Sequence, residues 1–252
     1  MAGMVCGSAF LHRAMMVMSV VASAALQRVL RGDTIPDSPI QGSTMQLIGM
    51  LDSPYVRRVA VSLQLLGLEF SHRPLSVFRT FEQFQRINPV VKAPTLICDD
   101  GQTLMDSSLI LDYAEALAGP GKSLLPHDIA PRRAALQRVG LALAACEKSV
   151  QIVYERNLRP AEKRHEPWLQ RVTGQLLSAY DGLEAALAQQ PFDVQLQAGI
   201  CTAVAWMFTQ QTVPDCVDAA RYPHLAAHSA QAEQLPAFRA APYGDGTYPV
   251  QV

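Results

Sequence analysis

A small α/β domain followed by an all-helical domain is the fold class that this sequence predicts, on three observations. Between Met45 and Leu117, short apolar runs alternate with stretches of helical spacing. Gly119-Pro120-Gly121 then breaks the chain. After the break, apolar residues recur only at steps of three and four, as on helices with one buried face.

The elements follow in order. Met45 to Met50 (MQLIGM) is an apolar run short enough for a buried strand. From Pro54 to Leu66, the residues Val56, Val59, Ala60, Leu63 and Leu66 take helical spacing, with Pro54 at the first helical position and Gly67 just past the end. Glu69 to Leu75 predicts a second strand and Thr80 to Ile87 a short helix. Ala93 to Cys98 runs into a turn at Asp99-Asp100-Gly101, then a strand near Gln102 to Met105 and a helix from Ser107 to Leu117. That order makes a small mixed sheet with helices on its faces. Beyond the break, Leu136, Val139, Leu143, Cys146, Val150 and Val153 mark one long helix. Trp168, Val172, Leu176, Ala179, Leu183 and Leu187 mark another, and shorter patterns cover Leu196 to Thr209 and Pro223 to Gln234. The expected organisation is an extension over 1–44, an α/β domain over 45–122 and a helical domain over 123–252.

Bulk properties narrow the function classes. The chain has 252 residues, enough for two cores. Hydrophobic residues make up 49% and charged residues 17%, against roughly 25% charge in an average soluble protein. A net charge of −1 gives no footprint for nucleic acid or an anionic membrane. The cysteines Cys6, Cys98, Cys146, Cys201 and Cys216 form no C-x-x-C pair, and their odd number and wide spacing favour a reducing, cytoplasmic compartment. Residues 1–44 stand apart. Ala14 to Leu26 is apolar but shorter than the roughly 20 residues of a membrane span. His12-Arg13 before it and Ala22-Ser23-Ala24 within it leave a signal peptide, and hence export, open beside a dispensable extension ahead of a start at Met45 and a helix docked on the body.

Several residues invite chemistry. Ser53 precedes a proline at the first helical position and is therefore the N-cap, where serine contributes about 1 kcal/mol. The same helix start presents unpaired N–H groups and positive partial charge. A thiol seated there has its pKa drawn below about 8.5, and a hydroxyl donating to the sulfur adds to that effect. Asp106-Ser107 opens another helix, with either residue able to cap. Pro94 reads locally as the start of an edge strand, and Lys92 as solvated. His224 and His228 stand at i, i+4, a spacing that suits zinc, but without a third ligand they read as a solvated helix face, and no metal is expected. Arg156, Arg159, Lys163 and Arg164 around Pro160 read as a solvated turn.

Four segments, in this order, resemble the soluble glutathione S-transferase family. They are Ser53-Pro54-Tyr55-Val56-Arg57-Arg58, then Asn88-Pro89 with Lys92-Ala93-Pro94, then Asp106-Ser107, and finally Tyr222-Pro223-His224-Leu225. Residues 45–117 resemble its thioredoxin-like N-terminal domain and 124–240 its helical C-terminal domain, of the serine, bacterial-like type. The resemblance implies that Ser53 polarises the thiol of bound glutathione. Ser53 and Val56 replace both cysteines of the related C-P-Y-C motif, so dithiol redox chemistry is not expected. It further implies a cis peptide between Ala93 and Pro94, whose turn offers the Ala93 backbone to the cysteinyl part. Lys92 would reach a carboxylate of the tripeptide, Ser107 and the helix start would hold the γ-glutamyl carboxylate, and Asp106 would face the amino group. Aspartate is a departure there from the more common glutamate. Tyr154 and Arg156 fall where second-substrate pockets of the family are lined. Glutathione is then the co-substrate, a small electrophile its partner, detoxification the setting and a homodimer the assembly.

One departure concerns the Ser/Thr-x-x-Asp capping box that usually opens the core helix of the C-terminal domain. Here Leu196-Gln197-Ala198-Gly199 puts leucine at the cap and glycine in place of the acid, and a register around Thr202 restores only the hydroxyl. The expected function is a glutathione transferase that activates the thiol for attack on an electrophile. The alternatives are a non-catalytic glutathione-transferase-like binding protein and, if residues 1–44 are a signal, an exported ligand carrier.

Overall fold

Each short apolar run folds as a strand. The computed structural model describes residues 45–244; the expectations for residues 1–44, Cys6 included, lie outside the described residues. Strands β1 (Met45–Ile48), β2 (Phe70–Arg73), β3 (Thr95–Ile97) and β4 (Thr103–Leu104) form one sheet in the order β2-β1-β3-β4. β1 runs parallel to β2, with Met45 opposite Phe70, and antiparallel to β3, with Leu47 opposite Leu96. β3 and β4 are antiparallel. A parallel pair needs a crossover, and α1 (Pro54–Leu66) supplies it. Helices α2 (Phe81–Ile87) and α3 (Ser107–Ala118) complete this half.

A helical region follows: α4 (Ile129–Asn157), α5 (Glu166–Gln189), α6 (Gln197–Thr212), α7 (Pro223–Ala232) and α8 (Pro236–Ala240), with 3-10 turns at Ala161–Lys163 and Ala219–Arg221. α4 begins well before Leu136 because its opening turns are solvated, Ile129 being 82% exposed, and so carry no apolar stripe. α8 is too short to show a period. Among the described residues no helix is long and apolar enough to cross a membrane.

Two clusters of buried side chains make the core. One joins the sheet, α1 and α3 to Ile200 and Val204 of α6 and Phe238 of α8. The other joins α4, α5, α6 and α7 around Ile152, Leu176, Tyr180, Leu183, Trp206 and Leu225. α6 serves both, and its side chains are buried on every face from Gln197 to Trp206. α1 is nearly as enclosed, and it buries two arginines. Arg57, 1% exposed, forks onto Glu233 with Nη1 and Nη2 each 2.7 Å from a carboxylate oxygen. Its Nε donates to the Ala241 carbonyl at 2.8 Å, and the guanidinium lies 5.4 Å from the Phe238 ring centre. The C-terminal segment is thereby tied to α1.

The helix starts explain the recurrent segments. At α7, Glu184 of α5 accepts from the amides of His224 and Leu225, both at 2.9 Å, and so caps the helix from a neighbour. Tyr222 is buried beside Tyr180 and Trp206 and donates to Asp181 at 2.9 Å. The expectation of a solvated face at His224 and His228 is corrected for His228. That ring is buried, bonds the Gly199 carbonyl at 3.0 Å and meets Phe192 edge-on, while His224 Nδ1 pairs with Glu184 at 2.8 Å. Burial holds the His228 pKa below its ordinary value. The two imidazoles are committed to different partners, and among the described residues no group of three or more His, Cys, Asp or Glu is placed to hold a metal.

At α6, Leu196 makes no side-chain cap, and the glycine that stands in place of the capping-box acid has a steric reason. A Cβ on Gly199 would lie 2.1 Å from the Asp193 carbonyl oxygen and 2.8 Å from the Val194 Cα. The preceding loop occupies the space an acid would need. The Gln197 amide donates to the Leu124 carbonyl at 2.9 Å, so the inter-helix connection satisfies it. Thr202 is no cap, since its hydroxyl donates to the Ala198 carbonyl at 2.7 Å within the helix.

Two outcomes follow from these contacts. Gly199→Ala must displace backbone, and overpacking of this kind costs roughly 1–3 kcal/mol or more; urea unfolding is expected to show a loss of that size. Glu233→Ala leaves a buried guanidinium unpaired, at about 3 kcal/mol. The same unfolding measurement checks it, and a loss under about 1 kcal/mol contradicts the anchoring role.

Candidate functional site

The site grows from three chain breaks that face one another. Ser53 is the N-cap of α1 (φ −72°, ψ 123°), and its carbonyl accepts from the Arg57 amide at 3.0 Å. The expectation that its hydroxyl caps the helix is not met: the side chain makes no capping bond. Pro54 at the first position removes one of the free donors a cap would serve. The helix start thus keeps its amide-rich end, with no acidic residue in its first turn.

Next to it lies the turn before β3. The Ala93–Pro94 peptide is cis. Asn88 braces this turn, donating through Nδ2 to the Thr95 hydroxyl at 2.8 Å and accepting from the Val90 amide at 3.0 Å. Thr95 in turn donates to the Lys92 carbonyl at 2.8 Å. Asn88-Pro89 and Lys92-Ala93-Pro94 therefore form one hydrogen-bonded unit. Val91 within it takes a positive φ of 53°, sparsely populated for a β-branched residue. Gly49 at the end of β1 lets the turn approach α1. With φ 136°, a Cβ there would lie 2.6 Å from Val56 and 3.2 Å from Ala93.

The third component is the start of α3. Asp106 is its N-cap, accepting from the Ser108 amide at 3.0 Å, so the cap that the sequence left open falls to the aspartate. A second cis peptide, Met105–Asp106, precedes it. Lys92 Nζ lies 3.9 Å from Asp106 Oδ2, both side chains about half exposed, a pair of little energetic weight. Ser107 is buried, and its hydroxyl accepts from Arg58 at 3.3 Å.

Ser53, Lys92, Ala93, Pro94, Asp106 and Ser107 all border one cavity of about 920 Å³. Across it stand Leu143, Ala144, Val150 and Tyr154 of α4, with Phe208 of α6. Tyr154 meets Phe78 edge-on at 5.6 Å. Arg156 is corrected: it does not line the cavity. Two residues along a helix turn a side chain about 200° away, and Arg156 instead binds Asp215 at 2.9 Å and the Cys216 sulfur at 3.2 Å. The basic stretch is likewise paired as well as exposed, Arg159 lying 2.6 Å from Glu155.

Sequence reasoning missed two residues. Tyr55 borders the cavity as a neutral phenol, its pKa pushed up by burial first and by the nearby Cys146, Glu147 and Asp106. Tyr154 is held neutral in the same way by burial and Asp52. Arg58, buried under Ser107, was the other. Its signal was a charged pair inside the otherwise apolar VRRVAVSL stretch.

The comparisons with known proteins point to one family. The glutathione S-transferase N-terminal domain family matches residues 47–122. An uncharacterised GST-like protein of Escherichia coli, YibF, is 26% identical over 186 residues, covering 72% of this chain and 90% of its own. A glutathione transferase family member from Pseudomonas fluorescens, solved with S-(propanoic acid)-glutathione, is 31% identical with a TM-score of 0.69, covering 79% of this chain and 98% of that one. A glutathione S-transferase from Methylobacterium radiotolerans, in complex with glutathione sulfonate, is 27% identical with a TM-score of 0.73, over 80% of this chain and 96% of that one. With a four-stranded α/β half, a helical half and these relatives matched nearly end to end, the chain belongs to the glutathione S-transferase family.

Proposed function

We propose that this protein is a glutathione transferase: residues 45–122 bind glutathione and the helical region that follows closes the pocket in which its thiolate attacks a small electrophile. The observation that carries this reading is the meeting of Ser53, the cis Ala93–Pro94 turn and the Asp106-Ser107 helix start on one cavity. The Ser107 end of α3 holds the γ-glutamyl carboxylate, where amide groups and helix polarity favour an anion. Asp106 faces the amino group, Lys92 reaches a carboxylate and the Ala93 backbone pairs with the cysteinyl part. The sulfur then lies against the start of α1. Its proton passes to solvent, and the thiolate is held by the Ser53 hydroxyl and by the helix start. The thiolate forms a carbon–sulfur bond as the electrophile releases its leaving group or takes a proton.

The electrophile side is apolar and aromatic, with Leu143, Val150 and Phe208. Tyr55 and Tyr154, both neutral, serve as hydrogen-bond donors there. Exposed Leu109 and Leu117 on one face of α3, and Ile129 and Leu136 on one face of α4, support a homodimer. A cytoplasmic location agrees with the unpaired cysteines Cys98, Cys146, Cys201 and Cys216. A second reading, a non-catalytic glutathione-binding protein, stays open beside it, since one relative that covers most of this chain is itself uncharacterised.

Ser53→Ala separates the two readings. Wild type is expected to bind glutathione and show thiolate absorbance near neutral pH. The variant is expected to bind within about threefold, form thiolate only above roughly pH 8, and lose turnover about hundredfold. Binding without thiolate in the wild type selects the non-catalytic reading, and no binding removes both.

A further inference from the structure

The helical wall of the cavity is a stripe on α4. Leu143, Ala144, Glu147, Val150 and Tyr154 border the cavity, at the spacing of one helix face. Four of the five are apolar or aromatic. The fifth, midway along the stripe, is a carboxylate whose side chain is 55% exposed. Its hydrogen bonds fall on Oε1, from Lys148 Nζ and Gln151 Nε2, each at 2.9 Å. Neither donor borders this cavity. A partly exposed pair with Lys148 offsets little of the field that Glu147 sends into it.

The sign of that field is not balanced elsewhere on the wall. Among the described residues, the charged ones that border the cavity are Asp52, Lys92, Asp106 and Glu147. Lys92 and Asp106 lie 3.9 Å apart on the side assigned to glutathione. Glu147 and Asp52 are left for the reacting group, and both are acidic. Each is felt by a tyrosine there: burial, Cys146 and then Glu147 push the Tyr55 phenol up, and burial and then Asp52 do the same for Tyr154. The basic side chains nearby turn to other partners, Arg156 to Asp215 and Arg159 to Glu155. A carboxylate entering between Leu143, Val150 and Phe208 would meet like charge while displacing the water that screens it. We propose that Glu147 is a specificity-determining residue that sets the charge of the electrophile: the site takes uncharged or cationic electrophiles and rejects those that carry a carboxylate, with Asp52 adding to the same field. The proposal rests on the transferase reading above and adds to it the substrate class and the residue that selects it.

The test compares two conjugates on the full chain by calorimetry, with glutathione itself alongside. S-(4-carbamoyl-2,6-dinitrophenyl)glutathione and S-(4-carboxy-2,6-dinitrophenyl)glutathione share one shape and differ by one charge on the transferred group. Wild type is expected to bind the carbamoyl conjugate about tenfold tighter at low salt, and the preference is expected to shrink to about threefold as salt screens it. Glu147→Gln is expected to reduce the low-salt preference to about twofold, and Glu147→Lys to abolish or reverse it. Glu147 is exposed on its helix, so both variants are expected to melt within a few degrees of wild type. A preference that survives in both variants overturns the role of Glu147. Equal binding of the two conjugates by wild type, or tighter binding of the carboxylate, overturns the charge selection and leaves the transferase reading standing. Binding of glutathione without either conjugate places the transferred group off this wall, and the proposal falls while glutathione binding remains. Failure to bind glutathione overturns that reading and this proposal with it.

Discussion

The fold depends on burying α1 from both sides. One side covers the sheet and α3, the other meets α6 and α8, and the helix has almost no solvated face on which to place a charge. Two consecutive arginines in such a helix are about 100° apart, so each must find its own partner inside the molecule. Arg57 finds the C-terminal segment through Glu233 and Ala241. Arg58 turns to the start of α3 and to the first residue of α6. The pair thus links the α/β half to the start of α6 and to the C-terminal segment, and the same burial that demands these partners brings the site together.

α6 is the second hub, and its chemistry is that of close approach. Gly199 admits the Asp193 carbonyl where a side chain would stand, Gln197 takes an acceptor from the connection at Leu124, and His228 closes over the Gly199 carbonyl. A capping box satisfies helix-start amides with side chains of the same segment. Here neighbouring segments do so, and the helix end is fixed by packing instead of by local sequence. α7 follows the same logic with Glu184.

The cavity is an outcome of these constraints. Its polar wall is made of a helix start, a cis turn and a second helix start, all three being places where backbone amides lack internal partners or the chain leaves regular structure. Its apolar wall comes from α4 and α6, whose residues there follow ordinary helical spacing. Such a division suits a ligand with a peptide-like half and a reacting half. A shared fold does not by itself fix the chemistry, which depends on the groups that line the cavity.

The sequence alone determined what is local. Pro54 and Gly67 bound α1 and the strands fell at the short apolar runs, because caps, turns and periods are written in consecutive residues, while the joining of Ser53, Ala93-Pro94 and Asp106-Ser107 into one wall was implied only by the family resemblance. Tertiary structure decided everything that needed a partner far along the chain. Ser53 kept its hydroxyl out of the cap, Arg156 turned to Asp215, His228 went inward, and Gly199 was explained only by Asp193 folding onto it. Arg58 shows the reason most plainly. The cost of burying a charge is set by what surrounds it in space, and Ser107 and Gln197 lie 49 and 139 residues away.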